Sequence, residues 1–427
     1  MIRILHTADW HLGHRLYGND RSTEHERALN WLLDVIRDES VDVLIVAGDV
    51  FDSMNPSNQA RNQYYHFLSR LRETRCHTAV IVGGNHDSPT QLDAPATLLR
   101  YLNVHVVGGA RDAIADQIVP VNLPGAAAPA LVVAAVPYLR DRDLKYSVLG
   151  ESASDKVVRL RASIRQHYVD IARAARDARG GHLAVPIVAT GHLYAAGATD
   201  AEDRSTHIYL ADRNNIEAGH FDACFDYVAL GHIHQPQRVG GREHIRYAGS
   251  LIPLTFGEAR TEQSVCLVEV GEAGKAVFVR KLPVPIYRRL HTLRGTAAEV
   301  RQQITQLTDR QRGTEADDLS PWLDVRVETA HSIPGLREDL ERLVTPTEEE
   351  DDGRDLGLPR ILRCMSVLPA GSAAEPGEPQ LQNLEELHPE EVFFRLCHSS
   401  DEPRPDYPEL LETFRELRSW MEDEQSV

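Results

Sequence analysis

The chain has no apolar run approaching the ~20 residues that a bilayer-spanning helix needs, so a membrane-embedded protein is not expected. It also lacks any CxxC pair. Its five cysteines, Cys76, Cys224, Cys266, Cys364 and Cys397, are scattered and odd in number. That excludes a disulfide framework and points to reduced thiols in a cytosolic protein. The first residues read as a strand and carry no signal-peptide pattern. Basic charge is in deficit as well: 46 Lys and Arg stand against 64 Asp and Glu, for a net charge of −18. The deficit is local, because 22 acidic and 8 basic residues fall between Glu341 and Val427. The rest of the chain is close to neutral, so a polyanionic substrate is not excluded there, although strong affinity for one must come partly from elsewhere.

What is present is a globular composition, 42% hydrophobic with a mean hydropathy of −0.35. At 427 residues the chain is too long for one ordinary core, and two or more domains are expected. Short β-branched runs at 3–5, 41–47, 78–82, 185–190 and 226–230 read as buried strands. Directly after them come Asp9-Trp10-His11, Gly48-Asp49, Gly84-Asn85-His86-Asp87, Gly191-His192 and Gly231-His232-Ile233-His234. Any one Gly-His is more often a loop residue than a ligand. Five such segments, each following a strand, place oxygen and imidazole donors at one edge of a sheet, where α/β sites lie. The donor set suits a borderline-hard divalent ion, Mn²⁺ ahead of Fe²⁺ or Zn²⁺, and the absence of a thiolate argues against structural zinc.

Two cations ~3.5–4 Å apart need a shared anionic ligand, and Asp49 is the natural bridge. Asp9, His11 and His234 are expected to join it at one ion, and Asn85, His192 and His232 at the other. A water of lowered pKa would attack phosphorus in line with the leaving oxygen. His86 is the candidate for stabilising the transition state or protonating the leaving group, and Asp87 for holding a neighbouring imidazole. Asp52 is either a loop carboxylate or a group touching substrate. Tyr17 either packs or lines the groove. His6 reads as a packed strand histidine.

Along the chain, strand-like and helix-like segments alternate to about residue 280, as in an α/β layered domain. Helices are expected at 22–37, 57–73 and 155–176, with Ser57 and Asp155 as N-caps. Strands at 245–248, 264–270 and 276–283 are read as the second half of a sandwich of sheets. Beyond Pro283-Val284-Pro285 a strand, helix, strand, helix, strand order (286–293, 297–307, 322–328, 334–343, 361–368) suggests a small α+β domain, with an acidic loop at 348–355. Residues 371–379 form a Gly/Pro/Ala/Glu-rich linker. Helices follow at 389–397 and 408–421. In the second, Tyr407, Leu410, Phe414, Leu417 and Met421 make an a/d seam that either packs on its own domain or docks on a partner helix.

These segments, with Ile2–Gly13, Val46–Asp52 and Tyr247–Pro253 around them, resemble the SbcD family of bacterial nuclease subunits. That family lies within the calcineurin-like metallophosphoesterase superfamily. The chain is also similar to the nuclease subunits of the archaeal and eukaryotic double-strand-break repair complexes. The resemblance implies an α/β fold, a four-layer metallophosphoesterase sandwich of two sheets flanked by helices, with a small α+β capping domain and a C-terminal helical segment. The corresponding bounds are 1–283 for the nuclease domain, 286–370 for the DNA-contacting cap, 371–384 for the linker and 385–427 for the helices. It further implies two Mn²⁺ per chain, and 3′→5′ exonuclease action on duplex ends with endonuclease action on single strands and hairpins, in DNA repair and recombination. It implies a homodimer as well, joined to an SMC-like ATPase of the SbcC type in a cytoplasmic, nucleoid-associated heterotetramer. Segments 56–71 and 92–101 are the candidate dimer helices. Asp52 stands where archaeal members can carry a histidine, which leaves the balance of exo- and endonuclease action open. A phosphomonoesterase and a catalytically silent scaffold are the rival readings.

Overall fold

The computed structural model describes residues 1–125, 128–144, 153–196, 216–312, 319–329, 333–345 and 357–367, with Phe393, Leu410, Thr413 and Phe414. Met1–Val367 form one compact unit and Leu368–Val427 a second.

The main strands of the first unit, in chain order, are β1 (Ile2–Thr7), β2 (Val43–Ala47), β3 (Thr78–Val82), β4 (Val104–Val107), β5 (Ile118–Val121), β6 (Leu131–Ala134), β7 (Ile187–His192), β8 (Tyr227–Gly231), β9 (Gln237–Val239), β10 (Arg242–Tyr247), β11 (Ser264–Val270) and β12 (Phe278–Pro283). Two six-stranded sheets result, ordered β12-β11-β1-β2-β3-β4 and β9-β10-β8-β7-β6-β5. Within them β1, β2, β3 and β4 run parallel, as do β6, β7, β8 and β10.

The apolar runs of these strands are continuous because both faces are covered. In β2, Val43 and Ile45 enter the core between the two sheets, while Leu44 and Val46 enter the core under the first pair of helices. Those helices are α1 (Ser22–Asp38) and α2 (Asn58–Leu71), which contribute Leu29, Leu32, Leu33, Tyr64, Phe67 and Leu68. Across the molecule α5 (Ala153–Arg179) covers the second sheet with Ile164, Tyr168, Ile171 and Ala172. Helix, sheet, sheet, helix is therefore the layering, the four-layer α/β sandwich. Ser57 caps α2 by accepting from Ala60 N at 3.2 Å.

Three expectations need correction. The strands at 264–270 and 278–283 do not extend the second sheet. β11 pairs antiparallel with β1, from Ile2↔Val270 to His6↔Cys266, and covers an edge that would otherwise expose unpaired N–H and C=O groups. Asp155 does not cap its helix, which already includes Ala153; an acidic residue reads the same in a cap and in a first turn. Segment 92–101 is two short helices, α3 (Pro89–Asp93) and α4 (Ala96–Arg100), parted by Pro95, which has no N–H to donate.

Residues 288–367 add a parallel sheet of β13 (Arg288–Gly295), β14 (Leu319–Glu328) and β15 (Arg360–Val367). Helices α6 (Ala297–Arg312) and α7 (Leu336–Glu341) share its own core of Leu293, Val300, Ile304, Leu323, Val325 and Leu340. This sheet is fastened to α1 by charge. Arg21 and Glu24 are each 1% exposed, and Arg21 Nε donates to both Glu24 carboxylate oxygens at 2.9 Å. Arg288 Nε donates to Glu24 Oε1 at 2.7 Å, and its guanidinium lies 4.2 Å from the centre of the Trp322 ring.

The acidic loop at 348–355, the linker and the C-terminal helices lie outside the described residues, apart from single positions. Of the seam residues, Phe414 stacks on Phe393 with ring centroids 4.4 Å apart. No described helix is long and apolar enough to cross a membrane. The four described cysteines are free thiols.

Candidate metal centre

The parallel strands deliver their C-terminal ends to one edge, and the five expected segments meet there. The first two loops are zipped together: Asp9 N donates to Gly48 O, His11 N to Asp49 O and Leu12 N to Val50 O, each at 3.0 Å. Between Asp9 and His11 the Trp10 side chain turns into the core, donating from Nε1 to Thr7 Oγ1 at 2.9 Å and meeting Phe67 edge to face. Asp9, His11 and Asp49 all hold positive φ, near 50°, and His232 holds 98°. Left-handed backbone at four non-glycine residues is costly, and such residues gather where structure serves a site. Gly48 precedes Asp49 at φ 91°, and a Cβ there would fall on the His192 ring.

Asp49 is central. Its Oδ2 lies 3.5 Å from His11 Nε2 and 3.2 Å from His192 Nε2, and its Oδ1 accepts from His86 N at 2.9 Å. On one side stand Asp9, His11 and His234, with the His11 and His234 ring centres 5.0 Å apart. On the other, Asn85 Oδ1 lies 2.9 Å from His192 Nε2 and 3.1 Å from His232 Nδ1. Asp9 Oδ1 accepts from His232 N at 2.9 Å, tying the two groups together. Asp9, Asp49 and His192 form a further set whose donor atoms lie within 4.8 Å of one another.

The imidazoles are oriented from behind. His192 Nδ1 donates to Ala47 O at 2.9 Å, His11 Nδ1 to Asp52 Oδ1 at 3.2 Å and His234 Nδ1 to Glu258 Oε1 at 3.1 Å. Each bond directs Nε2 into the cluster. His86 Nδ1 donates to Asp52 O at 2.9 Å, and the side chain is exposed.

The electrostatics follow from this crowding. Burial pushes the Asp9 carboxyl above its usual range, against the pull of His192 and His234. Burial opposes charge on His192 too, but Asp49 and Asp9 outweigh it and raise the ring to about 9. His232 is lowered to about 3 by burial and by His192. Burial works against the Asp52 carboxylate, yet hydrogen bonds from His11 and His14 hold it well below its ordinary value. Two buried polar atoms inside the cluster, Asp9 Oδ2 and His11 Nε2, make no hydrogen bond. Carboxylate, amide oxygen and neutral imidazole are the donors of a divalent-cation site, and a dication beside Asp9 would reverse the cost of burying it. The residues present fit such ions.

Asp9, His11, Asp49, Asn85, His86, His192, His232 and His234 are thus brought together, with Asp52 behind His11. Asp87 is adjacent but differs from expectation. It does not hold an imidazole. Its fully buried carboxylate accepts from Gly84 N (2.8 Å), Phe51 N (2.9 Å) and Val50 N (3.1 Å), and is raised to about 6 by burial and by Asp49. Irregular loops leave such N–H groups without sheet partners, and this carboxylate meets that need both within its own turn and across to the loop after β2. Tyr17 is half exposed, and its ring packs 6.1 Å from Phe256 beneath Arg363 of β15. His6 is buried against Tyr227 Oη and Leu230 O, a packed strand histidine. The residues missed in the sequence are Glu258 and His14, which shares Asp52 Oδ1 at 3.0 Å. His14 stands three residues after His11 and offered a faint signal. Glu258 offered none.

Residues 2–236 match the family model described as calcineurin-like phosphoesterase, and residues 286–400 match that described as type 5 capsule protein repressor C-terminal domain. The chain is 37% identical over 348 residues to the SbcD subunit of nuclease SbcCD from Escherichia coli strain K12, covering 80% of this chain and 82% of that one. Its counterpart of the same name in Rhodobacter capsulatus is 36% identical over 299 residues, covering 67% and 71%. That of Bacillus subtilis is 30% identical over 335 residues, covering 78% and 80%.

Proposed function

The chain belongs to the SbcD family of calcineurin-like phosphoesterases, and on that premise we propose that it is a Mn²⁺-dependent DNA nuclease. It would act on duplex ends as a 3′→5′ exonuclease and on single strands and hairpins as an endonuclease, in the cytoplasm, as the nuclease partner of an SbcC-type ATPase. The observation that carries the reading is the pair of buried atoms without hydrogen bonds, Asp9 Oδ2 and His11 Nε2, inside a converging set of oxygen and nitrogen donors.

Asp9, His11 and His234 would hold one ion and Asn85, His192 and His232 the other, with Asp49 between them. When bound, the two ions supply Lewis acidity and positive charge for in-line hydrolysis of a phosphodiester. The protein's part is alignment and proton handling. Asp52, Glu258 and Ala47 O hold three imidazoles by Nδ1, which leaves each Nε2 facing the donor cluster where it would meet an ion. His86, with Nδ1 committed to Asp52 O, has Nε2 free of that bond to hydrogen-bond a phosphoryl oxygen or protonate the departing alkoxide. The sheet of residues 288–367, fastened through Arg288 and Glu24, would contact DNA beside Tyr17. The exposed Leu98 and Tyr101 favour a homodimer through the α2–α4 region. The C-terminal segment would dock on the ATPase.

The test is cleavage of an end-labelled linear duplex and a hairpin in Mn²⁺, Mg²⁺ or EDTA, beside Asp49→Asn and His86→Ala. Cutting in Mn²⁺ that both substitutions abolish is expected, and the product ladder reports polarity. Phosphomonoester hydrolysis without DNA cleavage, even with the ATPase partner and ATP added, would overturn the reading.

A further inference from the structure

The turn that carries Asn85 and His86 is irregular backbone, and its polar groups need partners from elsewhere. Its N–H side is met from within by the Asp87 carboxylate. Its carbonyl side is met from the other sheet. After β6 the chain leaves Ala134 extended and runs to Arg140 alongside this turn. One end of that strap is pinned where Val136 N donates to Thr190 Oγ1 at 2.8 Å and Thr190 Oγ1 donates to Val136 O at 2.9 Å. The other is pinned where Arg140 N donates to Asp143 Oδ2 at 3.0 Å. In between, Tyr138 N donates to Gly83 O at 2.8 Å, and the Tyr138 ring meets His192 edge to face at 6.2 Å. Arg140 Nη2 then reaches Asp87 O at 2.6 Å and Gly84 O at 3.4 Å, the two carbonyls that bracket Asn85 and His86.

We propose that Arg140 is a positioning residue for the proposed reaction, one whose guanidinium closes the Gly84–Asp87 turn and so fixes Asn85 and His86. Two contacts depend on that closure. Asn85 Oδ1 has to meet both His192 Nε2 and His232 Nδ1, and His86 N has to meet Asp49 Oδ1. A ligand and a proton-handling group on one four-residue turn shift together when the turn opens, and reacting groups tolerate little displacement. Both carbonyls are met by one nitrogen, Nη2, which has two N–H groups to give, with the shorter bond going to Asp87 O. No sequence motif marks Arg140; it stands 53 residues after its main acceptor, on the strap that follows β6 of the opposite sheet.

The inference rests on the phosphoesterase reading for its kinetic arm and is independent of that reading for its structural arm. The variant is Arg140→Met, which keeps the aliphatic stem and removes the donors. The substrates are linear DNA and bis(p-nitrophenyl) phosphate in Mn²⁺. We expect kcat on the small diester to fall about 10–100-fold, the usual cost of losing an outer support of a metal site, with KM little changed. Guanidinium ion added to the buffer should restore part of the loss. Hydrogen exchange of the peptide spanning 84–88 should quicken in the full metal-free chain, with the remaining peptides unchanged. Should Arg140→Met fail to fold, Arg140→Gln, with one shorter amide donor, carries the same readouts. Unchanged kcat with unchanged exchange would overturn the proposal, and so would a loss confined to KM, which would make Arg140 a substrate contact. If the unmodified chain cleaves neither DNA nor the diester, the functional reading fails, and the exchange measurement still decides whether Arg140 closes the turn.

Discussion

Removing the Asp87 side chain should loosen two loops at once, its own turn and the one that follows β2. In Asp87→Ala the amides of Gly84, Val50 and Phe51 lose a fully buried acceptor at 2.8, 3.1 and 2.9 Å. Each buried donor left without a partner costs about 1–3 kcal/mol. Loops can relax partway, so the low half of that range applies to each, and the sum is about 4 kcal/mol. With a urea slope of about 3 kcal/mol per molar, the midpoint should move down by about 1.3 M. Asp87→Asn keeps one acceptor oxygen and turns an amide donor toward the other N–H groups, so about half the loss is expected. The assay is equilibrium urea unfolding in EDTA, which removes any stabilisation by bound ions, followed by tryptophan fluorescence with Trp10 buried in the adjoining loop. A midpoint for Asp87→Ala within about 0.3 M of the parent would refute the idea that this carboxylate holds the loops together.

Glu258→Ala should weaken Mn²⁺ binding about 10–100-fold by freeing the His234 ring, and an unchanged Mn²⁺ titration would argue against that role. Metal affinity should also depend on pH. His192 is raised to about 9 and so carries a proton at neutral pH in the metal-free chain, whereas only the unprotonated ring binds an ion. Apparent affinity should therefore rise about tenfold per pH unit from neutrality and level off above about 9. Calorimetry in buffers of different ionisation enthalpy should find about one proton released, and a pH-independent affinity would contradict the assignment. Glu24→Ala would leave the buried Arg21 and the partly buried Arg288 without their shared carboxylate, at a cost of about 3–5 kcal/mol in unfolding free energy. A loss below about 1 kcal/mol would show that the fastening contributes little.

Much of the fold and most of the site can be read along the chain, for physical reasons. Strands buried on both faces write themselves as unbroken apolar runs, as β2 and β3 do. Ligands that follow such runs directly, as Asp49 follows Ala47-Gly48, must lie at the sheet edge. What cannot be read depends on partners far away in sequence. Nothing in Ser264–Val270 says whether it will pair with β9 or return to β1, since either edge accepts a strand of the same pattern. Asp87 sits in a motif that invites an imidazole, and its actual partners are backbone amides, which leave no mark in the sequence. Glu258 and Arg140 are ordinary charged residues until the two sheets face each other. Pro95 is visible, but a proline that opens a helix and one that divides two helices look alike along the chain.

The order of the ligands along the chain has a consequence for synthesis. Asp9 is made 225 residues before His234, and the orienting Glu258 comes later still. A growing chain thus carries the Asp9, His11 and Asp49 loops through 143 further residues before His192, the first of the second sheet's imidazoles, is made. Hydrolytic competence can arrive only after that sheet has closed on the first. The open edge of β1 waits even longer, until Ser264–Val270 is made, so a fragment ending near residue 236 would expose that edge to pairing with other chains. Late assembly keeps an unfinished chain without a complete centre, and the same lateness leaves it with an uncovered strand edge.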